Sequence, residues 1–270
     1  MELPVNESNC NVIDEESLLT EARSVLDAVK KGIEDHSIWL RRTSELDRVL
    51  GGHLRRATMA LESTILLAEN GAAHDAVVTA RVVLEHALSA ASIAMADDSE
   101  QEAYFFIMRQ WRHLRNANDK LKKHYSDLTG PDPEMDSFVQ RIVEQTDKST
   151  VGERLDKIVK LLDEKHSPEV LLFSWLYEVP YNAMSTYAHP RALGLRSIVP
   201  PLGEPFQFIK EVEPLLATNA VRQGMIGFLA MMLAVHHAWG TPAMEKIVLH
   251  PIEQFIKNAG PAGVMGTYKL

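Results

Sequence analysis

Apolar residues recur every third or fourth position along almost the whole chain, and almost nowhere do they alternate. That spacing is the period of a helix with one buried face, so the chain is expected to be all-α. Between residues 14 and 35 the stripe runs through Leu18, Ala22, Val25, Leu26, Val29 and Ile33. A second helix, from about Ser37 to Glu69, carries Leu46, Leu50, Leu54, Ala57, Leu61, Ile65 and Leu66. Asn70-Gly71 ends it. The third, from about Ala73 to Ala96, places Ala76, Val77, Ala80, Val83, Leu84 and Leu88 on one side. Ser99 and Glu102 read as a capping box opening a fourth helix to about Leu128, and Pro133 starts a short fifth. A sixth helix spans about Val151 to His166, and Ser167-Pro168 opens a seventh that ends near His189-Pro190. Residues 190–214 break the pattern with prolines and short apolar runs, as a Pro-rich loop carrying a small hairpin would. Two more helices follow, to Trp239 and to Asn258. The expectation is one bundle of about eight or nine helices over residues 14–259, with flexible tails at 1–13 and 260–270.

Composition narrows the chemistry. The single cysteine, Cys10, excludes a disulfide scaffold or a Cys-based metal cage within one chain. A net charge of −9 should repel nucleic acid and anionic membranes over most of the surface. The N-terminus has no secretory pattern. The longest apolar run, Met225 to Val235, is too short to cross a bilayer. A cytoplasmic protein that does not engage membranes is expected.

Motifs that announce a cofactor are missing. No Glu-x-x-His or His-Glu-x-x-His sets up a metal site, and no glycine-rich phosphate loop follows a strand. No cofactor and no metal are expected. Gly51-Gly52 lies within a helical pattern and reads as a kink or a close helix contact. His236-His237 reads as a polar cap on a C-terminal turn. One local inversion of charge stands out. Arg109, Arg112, Arg115, Lys120, Lys122 and Lys123 surround Trp111 with Asp119 as the one acid among them. This is either a face for a phosphate backbone, with Arg112 on it, or a solvated face whose cations pair with neighbouring helices.

Polar residues also stand where a core is expected. Arg81 and Glu85 are one helical turn apart on the third helix, flanked by Val77, Ala80, Leu84 and Leu88. On the seventh, Glu178, Tyr181, Ser185 and His189 recur as one polar stripe reaching the helix end, where the helix dipole favours a protonated His189. A site and a structural tether between two helices are both consistent with that pattern.

The segment Ala80-Arg81-Val82-Val83-Leu84-Glu85-His86, with the later Tyr181-x-x-x-Ser185-x-x-x-His189-Pro190, resembles the bacterial DUF5677 family of helical proteins of unassigned function. The resemblance covers roughly residues 40 to 240, and it implies that Arg81 and Glu85 approach Tyr181, Ser185 and His189. Arg81-x4-His86 is also similar to the motif of HEPN ribonucleases, helical effectors that cleave RNA without metal and usually work as dimers. Five residues along a straight helix turn His86 about 140° from Arg81, so His189 is the better-aimed imidazole.

The expected function is therefore action on a phosphate-containing substrate, RNA in the first instance. In that reading His189 is the acid–base and Arg81 binds phosphate. Glu85 orients Arg81, Tyr181 and Ser185 position substrate or support His189, and His86 is the substitute base; Glu178 and Arg112 complete the binding set. The alternatives are a small-molecule pocket between the third and seventh helices, with 190–214 as its lid, and a non-catalytic scaffold that forms a homodimer.

Overall fold

The computed structural model describes residues 15–35, 43–109, 120, 137, 141, 159–160, 176–188, 214–240 and 250. Among them every regular element is helical and none is a strand. The elements are α1 (Glu15–Glu34), α2 (Glu45–Glu69), α3 (Ala73–Ala94), α4 (described over 99–109), a π-turn (Tyr177–Tyr181) running into α5 (Asn182–Ala188), and α6 (Pro214–Trp239). The loop and hairpin expected at 190–214, both tails and the helices expected at 133–166 and 241–258 fall wholly or mostly outside the described residues.

The expected stripes are the buried faces. Leu18, Ala22 and Val29 on α1 and Leu50, Leu54, Ala57 and Leu61 on α2 are at most 1% exposed. Ile33 is only partly buried, and Leu66 is exposed at 45%. α6 packs along α3 and α2, α1 lies against α2 and α6, and α5 with its π-turn rests on α3. α3 is thus the central element. Its 18-residue window of mean hydropathy 1.4 makes it long and apolar enough to cross a membrane by length and composition, and here neighbouring helices bury 56% of that window.

Two helix starts differ from expectation. α2 begins at Glu45 rather than near Ser37, because Ser44 is extended (φ −142°, ψ 169°) and its hydroxyl accepts the Asp47 N–H. The start of α4 is capped by Asp98, whose Oδ1 accepts the Gln101 N–H at 3.0 Å. Glu102 does not complete a box with Ser99; its carboxylate pairs with Arg109, and burial raises its pKa against the pull of that guanidinium. The end of α2 follows the Asn70-Gly71 signal, with Gly71 at φ 74° and the Ala72 N–H reaching back to the Leu67 carbonyl at 2.8 Å.

Glycines mark opposite situations. Among the described residues a Cβ at Gly51 or Gly52 would meet nothing within 4 Å, so neither glycine marks a close helix contact there. Both instead line a groove of about 590 Å³ shared with Lys30, Arg55 and Met59. A Cβ at Gly227 would stand 2.9 Å from Leu84 Cδ2 and 3.3 Å from the Leu84 backbone nitrogen, so this glycine sets how closely α6 approaches α3. Gly51→Ala should raise stability by about 1 kcal/mol through helix propensity alone. Gly227→Ala should lower it by about 1–2 kcal/mol despite the same propensity gain. Paired denaturant melts read both signs.

The far ends of α2 and α6 are tied by one buried bond. Trp239 Nε1 donates to Asp47 Oδ1 at 2.8 Å, while Thr43 donates its backbone N–H and its hydroxyl to Oδ2, each at 2.9 Å. Asp47 is 5% exposed.

Candidate functional site

α3 presents Arg81 and Glu85 one turn apart on a flank next to its buried face. Arg81 Nη2 lies 2.8 Å from Glu85 Oε1, with the arginine side chain 16% exposed and the glutamate 39%. The third member arrives from far along the chain. Arg81 Nη2 donates to the Tyr181 hydroxyl at 3.1 Å, and that hydroxyl donates to Glu85 Oε1 at 3.2 Å. The guanidinium carbon also sits 5.0 Å from the Tyr181 ring centroid, and Tyr177 stacks behind that ring at 5.2 Å. Arg81 Nε is buried and has no partner. The cluster thus joins a cation, a carboxylate and a phenol, with the buried Nε–H of the guanidinium left unspent.

Tyr181 is held there by a local departure from α-helix. Pro180 lacks an N–H, and its ring would clash with the preceding turn of a regular helix. Tyr177–Tyr181 forms a π-turn around it, and the Asn182 N–H reaches five residues back to the Tyr177 carbonyl. The wider turn changes the phase of the expected stripe. Glu178 is exposed and offers its backbone carbonyl to Asn182 Nδ2 at 3.3 Å, so it does not share a face with Tyr181. Ser185 is buried, and its hydroxyl donates to the Tyr181 carbonyl at 2.7 Å. That bond stitches α5 to the π-turn.

His86 has a different neighbour from Arg81. Its Nδ1 lies 2.9 Å from Nδ1 of His53 on α2, one nitrogen carrying the proton that the other accepts. The His53 ring packs against Phe106 of α4, with 5.1 Å between centroids, and its Nε2 is buried without a partner. Burial, with the charge of His86 adding to it, lowers the His53 pKa to about 4. Burial and then Arg56 lower that of His86, with Glu85 opposing. The dyad is therefore neutral at pH 7. Between pH 6.5 and about 4 the unfolded chain binds a proton at residue 53 that the folded chain refuses, so stability is full above this window and falls through it. The loss should reach about 3 kcal/mol, and His53→Leu should remove that part of a pH series of urea midpoints.

His189 and Arg112 lie outside the described residues, as does all of the basic segment except Arg109 and Lys120. Arg109 is engaged with the carboxylate of Glu102, and Lys120 is exposed. No group of three or more His, Cys, Asp or Glu side chains is assembled for a metal among the described residues. His53 and Tyr177 were not marked by the sequence pattern. Pro180 was the one local sign of the irregular turn that brings Tyr177 and Tyr181 together.

No curated protein and no solved structure matches the chain. The model of a family of unknown function, DUF5677, matches residues 47–200. That span takes in α2, α3, the described part of α4 and the π-turn with α5, and leaves out α1 and α6. It holds Arg81, Glu85 and Tyr181, and it covers more than half of the 270 residues. The chain belongs to the DUF5677 family.

Proposed function

We propose that the chain is a helical effector acting on a phosphate-containing substrate, RNA in the first instance, at the Arg81–Glu85–Tyr181 cluster. The observation that carries this reading is the state of Arg81. Its guanidinium is oriented by Glu85 at 2.8 Å and Tyr181 at 3.1 Å and keeps a buried, unpartnered Nε–H. A fixed, partly exposed guanidinium is suited to charge-assisted bonds with a phosphate. Its setting beside a π-turn supports the same reading, because such turns are frequent at functional sites.

In this proposal His189, which follows directly on the end of α5, is the acid–base. It takes the proton of an RNA 2′-hydroxyl as that oxygen attacks the adjacent phosphorus. The bond from phosphorus to the 5′-oxygen breaks, and a proton passes to that oxygen. The products are a 2′,3′-cyclic phosphate and a 5′-hydroxyl. Arg81 neutralises the charge gathering on the phosphoryl oxygens. His86, tied to His53, is the less suited imidazole. The test is incubation of the purified chain with RNA in excess EDTA, reading for cyclic-phosphate ends. Cleavage that disappears in His189→Ala and Arg81→Met supports the proposal. Intact RNA, or cleavage that survives both changes, overturns it and favours a tether without chemistry.

A further inference from the structure

A second cation is buried in the bundle, and no acid among the described residues answers it. Arg222, in the middle of α6, is 8% exposed. None of the ion pairs among the described residues includes it, whereas Arg81 and Arg109, both partly buried, each have a glutamate. Its Nη1 makes one long bond to Asn219 Oδ1, at 3.4 Å, and its Nε is buried without a partner. Beside it Gln223, 2% exposed, buries an amide oxygen with no donor. Gly224 and Gly227 mark the face of α6 that meets Leu61, Ala80 and Leu84. Arg222 stands two residues before Gly224, about 200° round the helix, and so points away from that contact.

Burying a guanidinium without a counter-charge is costly, and here burial alone depresses its pKa. The unmet groups are complementary to one kind of ligand. Arg222 Nε–H asks for an anionic oxygen, and the Gln223 oxygen asks for a hydrogen-bond donor next to it. We propose that Arg222, Gln223 and Asn219 form an oxyanion site inside the bundle for a small ligand bearing both an anionic oxygen and a hydroxyl: hydrogen phosphate or a hydroxycarboxylate. Arg222 binds the anionic oxygen, and Gln223 accepts from the hydroxyl. The site is independent of the cluster around Arg81.

The test is thermal melting of the full chain at constant ionic strength with inorganic phosphate, glycolate, sulfate or acetate. Phosphate or glycolate should raise Tm by about 5 °C when about a hundredfold above its dissociation constant. Sulfate and acetate, which have no hydroxyl to offer at neutral pH, should raise it less. Which of the two active anions binds tighter identifies the ligand class. With Arg81→Met as the background, so that the phosphate site proposed around Arg81 does not contribute, Arg222→Met should abolish the rise and Gln223→Leu should erase the preference for hydroxyl-bearing anions. Arg222→Met replaces an unmatched charge by an apolar side chain and should fold; if it does not, Gln223→Leu alone decides. No rise in the Arg81→Met background, a rise there that survives Arg222→Met, or a preference that survives Gln223→Leu each overturns the proposal.

Discussion

Replacing Asp47 by alanine is expected to lower stability by about 3–5 kcal/mol, an effect on the scale of breaking a buried charged network. The carboxylate accepts the indole N–H of Trp239 from the far end of α6 and two donors from Thr43, all within 2.9 Å. Alanine leaves the indole N–H unpaired in the core and loosens the first turn of α2. Asp47→Asn keeps the shape and loses the charge, and should cost about half as much. Trp239→Phe should cost about 2 kcal/mol, less than Asp47→Ala, because Thr43 still binds the carboxylate. Guanidinium melts followed by tryptophan fluorescence and circular dichroism read these differences. The network also has a signature in acid. Burial pushes the Asp47 pKa up, but the donors of Thr43 and Trp239 and the Ser44 N–H together outweigh it and hold the carboxyl below its ordinary value. Its contribution is then present above the unfolded carboxylate pKa and is lost as pH falls through the lower folded one. That loss lies on the acid side of the His53 window, so acid unfolding should proceed through two separable ranges, and Asp47→Asn should remove only the lower.

Replacing Arg81 by methionine should lower the rate on a phosphate-containing substrate by about 10²–10³-fold, the usual cost of removing one fixed donor to developing charge. Stability should change far less, because the guanidinium's pairing with an exposed carboxylate contributes little to the fold. Arg81→Lys should recover only part of the rate, since an ammonium cannot reproduce a guanidinium held by Glu85 on one side and stacked on Tyr181 on the other. Tyr181→Phe keeps the stack with Tyr177 and removes both hydroxyl bonds. Its effect should fall on kcat more than on KM, as expected for a group that positions Arg81. A structural tether would give the reverse: lower melting temperatures in all three variants and no change in rate.

The helices were legible because burial in a bundle needs little more than a stripe of the right period. Leu18, Leu54, Leu61 and Leu84 were all placed in the core by spacing alone, and the structure buries them. Arg81 and Glu85 were legible for the converse reason, as charges set into an apolar surround. Tyr181 was legible as a residue, but its geometry was not, because the π-turn around Pro180 breaks the phase that would have aligned it with Glu178. The remaining features depend on contacts between distant segments. Nothing in local spacing pairs His53 with His86 across two helices, or Asp47 with Trp239 across 192 positions. Asn219, Arg222 and Gln223 did leave a local sign, three polar side chains in an apolar helix, of the same kind that marked Arg81 and Glu85.

Binding at the Arg81 cluster can be measured apart from chemistry. A short RNA oligonucleotide with 2′-O-methyl sugars has no attacking hydroxyl, so its affinity reports only how the cluster holds a phosphodiester. Fluorescence titration at fixed salt should give binding to the native chain that weakens about tenfold to a hundredfold in Arg81→Met, with an unchanged melting temperature. Equal affinity in the two proteins, or no binding to either, would contradict the assignment of Arg81, Glu85 and Tyr181 to a phosphate-binding site.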